Sequence, residues 1–378
     1  MSTITITRKI KLQPTREQDL LLQESCQHYV DACNFIAQWI INHKTLAVKN
    51  INAAIYTTVR QTFSLPSQMA QSAIRNVIAA YKTIHATQEK WSITPTFRRS
   101  KIDYVWNRDY SLNKKTHDFS VNTIRGRMKV ATCWNGNEAY ALQETYGSAT
   151  LQYKKGKWIL HVPVTINVED VTLDDIVNIV GVDMGINFLA TTYDSQGNTV
   201  FYHGREVKDI RAHYKKLRAE LQSKGTRSSK KRLASIGSRE NRWMNDVNHC
   251  IAKALVDNAG NHSLIVLEDL TGVRTATERF RKKDRYVSVS WAFYDLRQKI
   301  EYKAKKAGCL TIAVDPAYTS QRCPKCGYTS KSNRNKKLHT FTCKKCGYTS
   351  NDDRIAAMNL HDTGIQYRTQ CYEDISSQ

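Results

Sequence analysis

The chain has 378 residues, of which 57 are Lys or Arg and 34 Asp or Glu, for a net charge of +23. That excess implies a polyanionic partner, nucleic acid first and a membrane surface second. The sequence has no apolar run of the ~18 residues that a span needs, no secretory signal at Met1-Ser2-Thr3-Ile4 and no lipidation motif, which predicts a cytoplasmic protein with no membrane partner and room for two or three domains.

Residues 3–12 alternate, with Ile4, Ile6, Ile10 and Leu12 on one face and Thr3, Thr5, Thr7, Lys9 and Lys11 on the other, as in a strand with one buried face. Pro14 ends it, and Thr15 with Gln18 forms a capping box for a helix carrying Leu22, Cys26, Val30, Cys33 and Ile40. Pro66 opens a second helix, from Ser67 to about Tyr81, with Ala70, Ala73, Ile74, Val77, Ile78 and Tyr81 inward. Residues 91–170 change to short strand-like runs separated by turn signals at Asn113-Lys114-Lys115, Asn135-Gly136-Asn137 and Lys154-Lys155-Gly156-Lys157. They predict a β-barrel that the opening strand joins. Trp91, Phe97, Tyr104, Trp106, Tyr110 and Trp134 stand among its basic residues, either as stacking surfaces for nucleic acid or as ordinary barrel aromatics.

Ile176–Val182 is a short β-branched run of the kind that forms a strand buried on both faces, and it ends on Asp183 between Gly181 and Gly185. Taken alone, Asp183 is a turn aspartate or a metal ligand. A hairpin follows, Phe188–Tyr193 and Thr199–Tyr202 around Asp194-Ser195-Gln196-Gly197-Asn198. Arg205–Arg242 is basic and helical, interrupted at Gly225–Ser229, and Lys230-Lys231-Arg232 is its densest cluster: a solvated helix face or a nucleic-acid contact. A helix over 241–258 buries Met244, Val247, Ile251, Leu255 and Val256. It leads to Ser263–Leu267, a second apolar strand that ends on an acid, Glu268. Two such acids at one sheet edge repel unless a cation lies between them, and an oxygen-ligated Mg²⁺ is the natural resolution. Residues 271–286 are basic and loop-like, and Arg281, Lys282 and Lys283 are candidates to meet phosphate. A helix from Ser290 to Lys306 has Trp291, Tyr294, Leu296 and Ile300 as core positions, ends at Gly308 and precedes a strand, Leu310–Val314.

Four of the ten cysteines form two C-x-x-C-G knuckles, Cys323/Cys326 and Cys343/Cys346, with sixteen residues between them. That spacing predicts a zinc ribbon whose four thiolates leave no open position, so that the Zn²⁺ is structural. His339 is an alternative fourth ligand. The remaining cysteines, Cys26, Cys33, Cys133, Cys250, Cys309 and Cys371, read as small core residues. Asp353 falls in the first turn of a helix that Asn351 or Asp352 caps and that turns Ile355, Ala356 and Leu360 inward. It is either a capping acid or a third member of the carboxylate set.

In combination these motifs resemble the TnpB family, transposon-encoded RNA-guided DNA endonucleases related to type V CRISPR effectors. The matching residues are Gly181-Val182-Asp183-Met184-Gly185, Val266-Leu267-Glu268-Asp269-Leu270, Asp315–Cys323, both cysteine knuckles, and Asp353 with Ala356-Ala357 and Asn359. The chain departs from the family at Ile355, where an asparagine is usual. The resemblance implies an α+β multidomain protein: a wedge β-barrel (1–13 and 91–170) carrying a helical recognition unit (14–90), and a RuvC-like nuclease of RNase H fold (171–318 and 351–378) interrupted by the zinc ribbon (319–350). Asp183, Glu268 and Asp353 would be the catalytic acids, holding two Mg²⁺ about 3.5–4 Å apart for phosphodiester hydrolysis. The partners would be a guide RNA from the transposon end and a target DNA whose short flanking motif is read by the N-terminal half, with the protein acting as a monomer on its RNA. The rivals are a compact type V CRISPR effector, a nuclease-silent RNA-guided repressor, and an RNA-independent resolvase or transposase.

Overall fold

The computed structural model describes residues 2–98, 100–113, 115–133, 145–185, 187–269 and 293–376. Contacts divide the chain into two units, Thr3–Asn167 and Val168–Gln378, the latter with Met1–Ser2.

The first unit begins with β1 (Ser2–Gln13), and Ile4, Ile10 and Leu12 are buried as the alternation predicts. Helix α1 (Arg16–His43) starts at the expected capping box: Thr15 accepts from the N–H of Gln18, and the Gln18 side chain accepts from the N–H of Thr15. Two more helices follow, α2 (Val48–Thr62) and α3 (Ser67–Thr87). The sequence reading missed α2. Its N-cap, Ala47, makes no side-chain cap bond, so no start signal stands before it. Only the i, i+4, i+8 spacing of Ile51, Ile55 and Val59, all buried, betrays it.

The strands β2 (Lys101–Tyr104), β3 (Tyr110–Leu112), β4 (Phe119–Thr123), β5 (Gly126–Thr132), β6 (Thr145–Tyr146), β7 (Ala149–Lys154) and β8 (Lys157–Val168) complete this unit. Their sheet runs β2-β7-β8-β1-β5-β4-β3, with β6 paired to β8. The opening strand therefore lies in the middle of the sheet, as its lack of a near partner implied. An isolated bridge joins Trp106, two residues past the end of β2, to Tyr110 at the start of β3, so the sheet nearly closes. Lys155 and Gly156, both with positive φ (52° and 73°), make the tight β7–β8 turn. The aromatics are structural. Tyr104 and Tyr110 are fully buried, their hydroxyls donating to the carbonyls of Asn122 (2.6 Å) and Gly147 (2.5 Å). Trp91, Phe97 and Trp106 pack against the same core, which removes them as free stacking surfaces, while Trp134 lies outside the described residues.

The second unit holds a five-stranded sheet of β9 (Asn178–Asp183), β10 (Phe188–Asp194), β11 (Thr199–His203), β12 (Ser263–Glu268) and β13 (Leu310–Val314), in the order β11-β10-β9-β12-β13. The first three strands are antiparallel, whereas β9, β12 and β13 run parallel. The helices are α4 (Arg205–Lys224), α5 (Arg227–Ile236), α6 (Arg239–Ala259), α7 (Phe293–Lys306) and α8 (Asp352–Ser376). The basic stretch is thus broken a second time, at Gly237, where φ is +45°.

Burial on both faces explains the apolar runs in β9 and β12. Val180, Val182, Ile265 and Leu267 pack with Met244, Leu255, Leu296 and Ile300 of α6 and α7. Ile179, Leu264 and Val266 turn the other way, to Leu360 of α8. Three expectations fail here. Val177 precedes β9 and is 77% exposed, and Tyr294 is 72% exposed on the outer side of α7. Cys250 is exposed rather than core, although Cys26, Cys33 and Cys309 are buried as expected.

Helix α8 lies against β9 at backbone distance. A Cβ on Gly181 would stand 2.1 Å from the Ala357 carbonyl oxygen and 2.4 Å from the His361 nitrogen. Gly181→Ala therefore forces helix and strand apart, and we expect it to cost at least about 1–3 kcal/mol, measured by denaturant unfolding of the full chain. Native stability in that variant would show that the close approach is not required.

Candidate active site and metal centre

Asp183 and Glu268 end the neighbouring parallel strands β9 and β12, in register Leu267 opposite Val182, and therefore stand at the same sheet edge. Asp353 reaches that edge from the first turn of α8. The Asn351 side chain caps this helix, accepting from the N–H groups of Asp353 (3.0 Å) and Arg354 (3.1 Å). Glu268 and Asp353 are buried, and Asp183 keeps only part of its surface open.

The charges act on one another. Burial, then Glu268, then Asp353 push the Asp183 carboxyl well above the usual carboxylate range, against the smaller opposing charge of Arg334. Burial raises Glu268 as well, against a hydrogen bond from Thr319 and the charge of Arg334. Asp353 is raised by burial and by Asp352, against His339 and Arg334. Water-poor carboxylates that repel in this way suit a hard divalent cation, and Asp183, Glu268 and Asp353 would hold it.

Side chains to which the sequence assigned no role hold this set. The Thr319 hydroxyl donates to Glu268 Oε1 (2.7 Å), and Asn359 Nδ2 fixes the Thr319 segment by donating to the carbonyls of Thr319 (2.6 Å) and Arg322 (2.9 Å). Arg334 Nε donates to Asp352 Oδ2 (2.7 Å), and its Nη2 stands 3.9 Å from Asp353 Oδ1. Thr319 and Asn359 belong to motifs noticed in the sequence. Arg334 does not, since it is one cation among many between the knuckles.

The four cysteines come together. Cys323 and Cys346 sulfurs are 3.6 Å apart, Cys326 and Cys343 3.5 Å, and all four lie within 4.8 Å of one another. Sulfurs 2.3 Å from one tetrahedral zinc ion would be about 3.8 Å apart, so the set fits. The knuckles repeat one hydrogen-bond pattern. The N–H groups of Cys323 and Cys343 donate to the carbonyls of Tyr328 and Tyr348, and those of Gly327 and Gly347 donate to Cys323 and Cys343. Gly327 and Gly347 adopt φ of +70° and +74° to make this turn. Against burial, the N–H groups of Cys346 and Lys345 pull the Cys343 thiol down to about 6. Three short strands, β14 (Arg334–Asn335), β15 (Thr340–Thr342) and β16 (Thr349–Asn351), form the module's sheet.

His339 is not a fourth ligand, since it faces Asp352 (Nδ1 to Oδ1, 3.5 Å) instead of the sulfurs. Ile355, the departure from the family pattern, is fully buried with Cys323, Phe341 and Cys343, so it serves the cysteine module.

Of the candidate nucleic-acid contacts, Lys230, Lys231 and Arg232 are exposed on α5. The neighbouring α4 is tied to α6 through buried Glu240, which pairs with Arg211 (3.4 Å) and Arg218. Arg281, Lys282 and Lys283 lie outside the described residues. No helix among the described residues is long and apolar enough to cross a membrane.

The chain is similar to known proteins. Residues 161–277 match a family model described as a probable transposase, and residues 293–360 one described as a Cas12f1-like TNB domain. The chain is 30% identical to the putative RNA-guided DNA endonuclease InsQ of Escherichia coli, over 71% of this chain and 67% of InsQ. It is 28% identical to a CRISPR-associated endodeoxyribonuclease Cas12f1 of Syntrophomonas palmitatica, over 80% of this chain and 61% of that one. It matches 44% of the length of another Cas12f1, from Sulfoacidibacillus thermotolerans. A Cas12f1 solved with sgRNA and target DNA superposes with a TM-score of 0.60 over 95% of this chain and 99% of that one, at 13% identity, which shows a shared α+β multidomain fold. By its motifs, and by its identity to a relative of which it covers two thirds, the chain belongs to the TnpB family.

Proposed function

We propose that the protein is an RNA-guided DNA endonuclease that hydrolyses phosphodiester bonds at Asp183, Glu268 and Asp353. One observation carries this reading. Three acids spread over 170 residues of sequence come near one sheet edge, where the charges of Glu268 and Asp353 raise Asp183 and that of Asp353 raises Glu268. No structural role needs that repulsion. The strand order and directions of the second unit support a RuvC-like RNase H fold. The spacing of the sulfurs supports a zinc ribbon with structural Zn²⁺ on Cys323, Cys326, Cys343 and Cys346.

Bound Mg²⁺ would activate the attacking water and stabilise the leaving oxygen. The protein's own part is positional. Thr319 fixes one oxygen of Glu268, Asn351 fixes the helix turn that carries Asp353, and Arg334 supplies positive charge where phosphate arrives. The guide RNA would choose the target by base pairing, while the protein holds the heteroduplex by its backbone. Lys230, Lys231 and Arg232 are our candidates for that contact. We place the reading of the flanking motif in the first unit, a wedge barrel with its helical recognition unit. A nuclease-silent repressor would have no use for the acid set.

The acids also link function to stability. A carboxyl whose folded pKa is raised binds its proton more readily in the folded chain than in the unfolded one. It costs nothing below its ordinary pKa, and it destabilises the fold increasingly as pH rises through that value toward the folded one. Without divalent cation, Asp183→Asn should therefore melt higher than the natural chain at pH 8, with the gap closing toward pH 4. Mg²⁺ at a hundred times its Kd should stabilise the natural chain by about 2.7 kcal/mol and the variant much less. The same variant should bind its RNA and lose cleavage. If Asp183→Asn cuts DNA, the assignment is wrong.

Cys343→Ser should lose zinc by metal analysis and loosen the start of α8, and natural protein purified without zinc would contradict the ribbon. Sequencing the RNA that copurifies tests guidance itself, because an RNA-independent nuclease would carry no defined species.

A further inference from the structure

Asp352, next to the proposed ligand Asp353, is fully buried, yet the proposed chemistry does not use it. A buried carboxylate of that kind is retained at a cost unless it is paired. Its two oxygens face different partners. Oδ2 accepts from Arg334 Nε at 2.7 Å, and Oδ1 faces His339 Nδ1 at 3.5 Å. Arg334 is held at another corner as well, where Nη1 donates to Ser320 Oγ at 2.9 Å. The third corner, Nη2, stops 3.9 Å short of Asp353 Oδ1, beyond hydrogen-bond reach.

This geometry has a consequence for the acids. A guanidinium beside a carboxylate tends to close on it as a two-pronged pair, which would occupy both Asp353 oxygens. With Nε and Nη1 engaged, the fork cannot turn to do so. Arg334 still lends its charge to Asp183, Glu268 and Asp353.

Resting on the nuclease reading above, we propose that Asp352 is a positioning residue that holds Arg334 off Asp353, keeping that carboxylate open to a divalent cation while the guanidinium stays within reach of phosphate. Remove Asp352 and Arg334 collapses onto Asp353.

The test is Mn²⁺ binding by the full zinc-loaded chain, followed through the free Mn²⁺ spin-resonance signal. Asp352→Asn, Arg334→Gln and the double variant complete a cycle with the natural chain. Asp352→Asn should weaken Mn²⁺ binding. Arg334→Gln should tighten it, and by about tenfold more in the Asp352→Asn background than in the natural one, a coupling within the usual range for residues in contact. A mere loss of nearby charge would make the two Arg334→Gln effects equal, and that result would overturn the proposal. Ser320→Ala frees another corner of the same guanidinium and should weaken Mn²⁺ binding in the same sense. It keeps the question open to refutation if Asp352→Asn does not fold, since unchanged binding in Ser320→Ala also counts against the idea. DNA cleavage by Asp183→Asn, in contrast, would sink the nuclease reading whatever the Mn²⁺ cycle shows.

Discussion

The repulsion among Asp183, Glu268 and Asp353 is the constraint on which the second unit depends. Left to themselves, three carboxylates in a water-poor corner would splay apart or draw in protons. They stay because each is attached to something that cannot move cheaply. Asp183 and Glu268 end parallel strands whose side chains are clamped from both sides, by α6 and α7 on one face and α8 on the other. Packing energy spread over many apolar contacts holds a small number of unfavourable charges in place. A site of this kind is a local loss of stability carried by the whole sheet, which a bound cation would recover.

The same logic accounts for glycine at two buried positions. Gly181 in β9 and Gly364 in α8 have ordinary backbone angles, so neither is there for a turn. A Cβ at Gly364 would sit 2.6 Å from Val266 and 2.8 Å from Ile179. Together they let the helix lie directly on the strands. Were α8 to ride higher, its first turn would lift away from the sheet edge and Asp353 would leave the other two acids. Glycine in these elements costs conformational entropy, and the close seating of α8 on the strands is what that cost secures.

The parts of this architecture legible in the sequence were those written as local patterns. The capping box at Thr15 and Gln18, the alternation in β1, the two-sided apolar runs of β9 and β12 and the repeated cysteine knuckles each state their own structure. Asp183 and Glu268 were suspect because a charge at the end of a buried strand is unusual wherever the strand lies. Illegible were features that exist only after folding. Nothing near Arg334 distinguishes it from Lys336 or Lys337, because its role comes from Asp352 and Ser320, each more than a dozen residues away. Helix α2 lacked a cap, and Tyr294 had the right period for the core but lies on the outer side of its helix. The aromatics of the first unit were open to two readings, and the structure selects the structural one: the hydroxyls of Tyr104 and Tyr110 are bonded inside the sheet's core.

The position of the cysteine module also follows from this constraint. The chain leaves the sheet after Val314 and must return at Asp352 so that Asp353 arrives correctly oriented. A free loop between those points would return in many orientations, at an entropic cost. The module's own apolar core is small, chiefly Phe341 and Ile355 around Cys323 and Cys343, too little to order the segment by burial alone. Four thiolates on one metal would supply the missing cross-link, since metal binding and folding are the same event in such modules. Ile355 fits this view. It stands two residues past Asp353, where the family usually carries a polar side chain, and it packs beneath the sulfurs. The helix that carries Asp353 is thereby fastened to the cysteine module by an apolar contact as well as by the Asp352–Arg334 pair. A zinc ion in this position would do more than stiffen a surface hairpin, because it would help to fix the angle at which Asp353 meets the sheet edge.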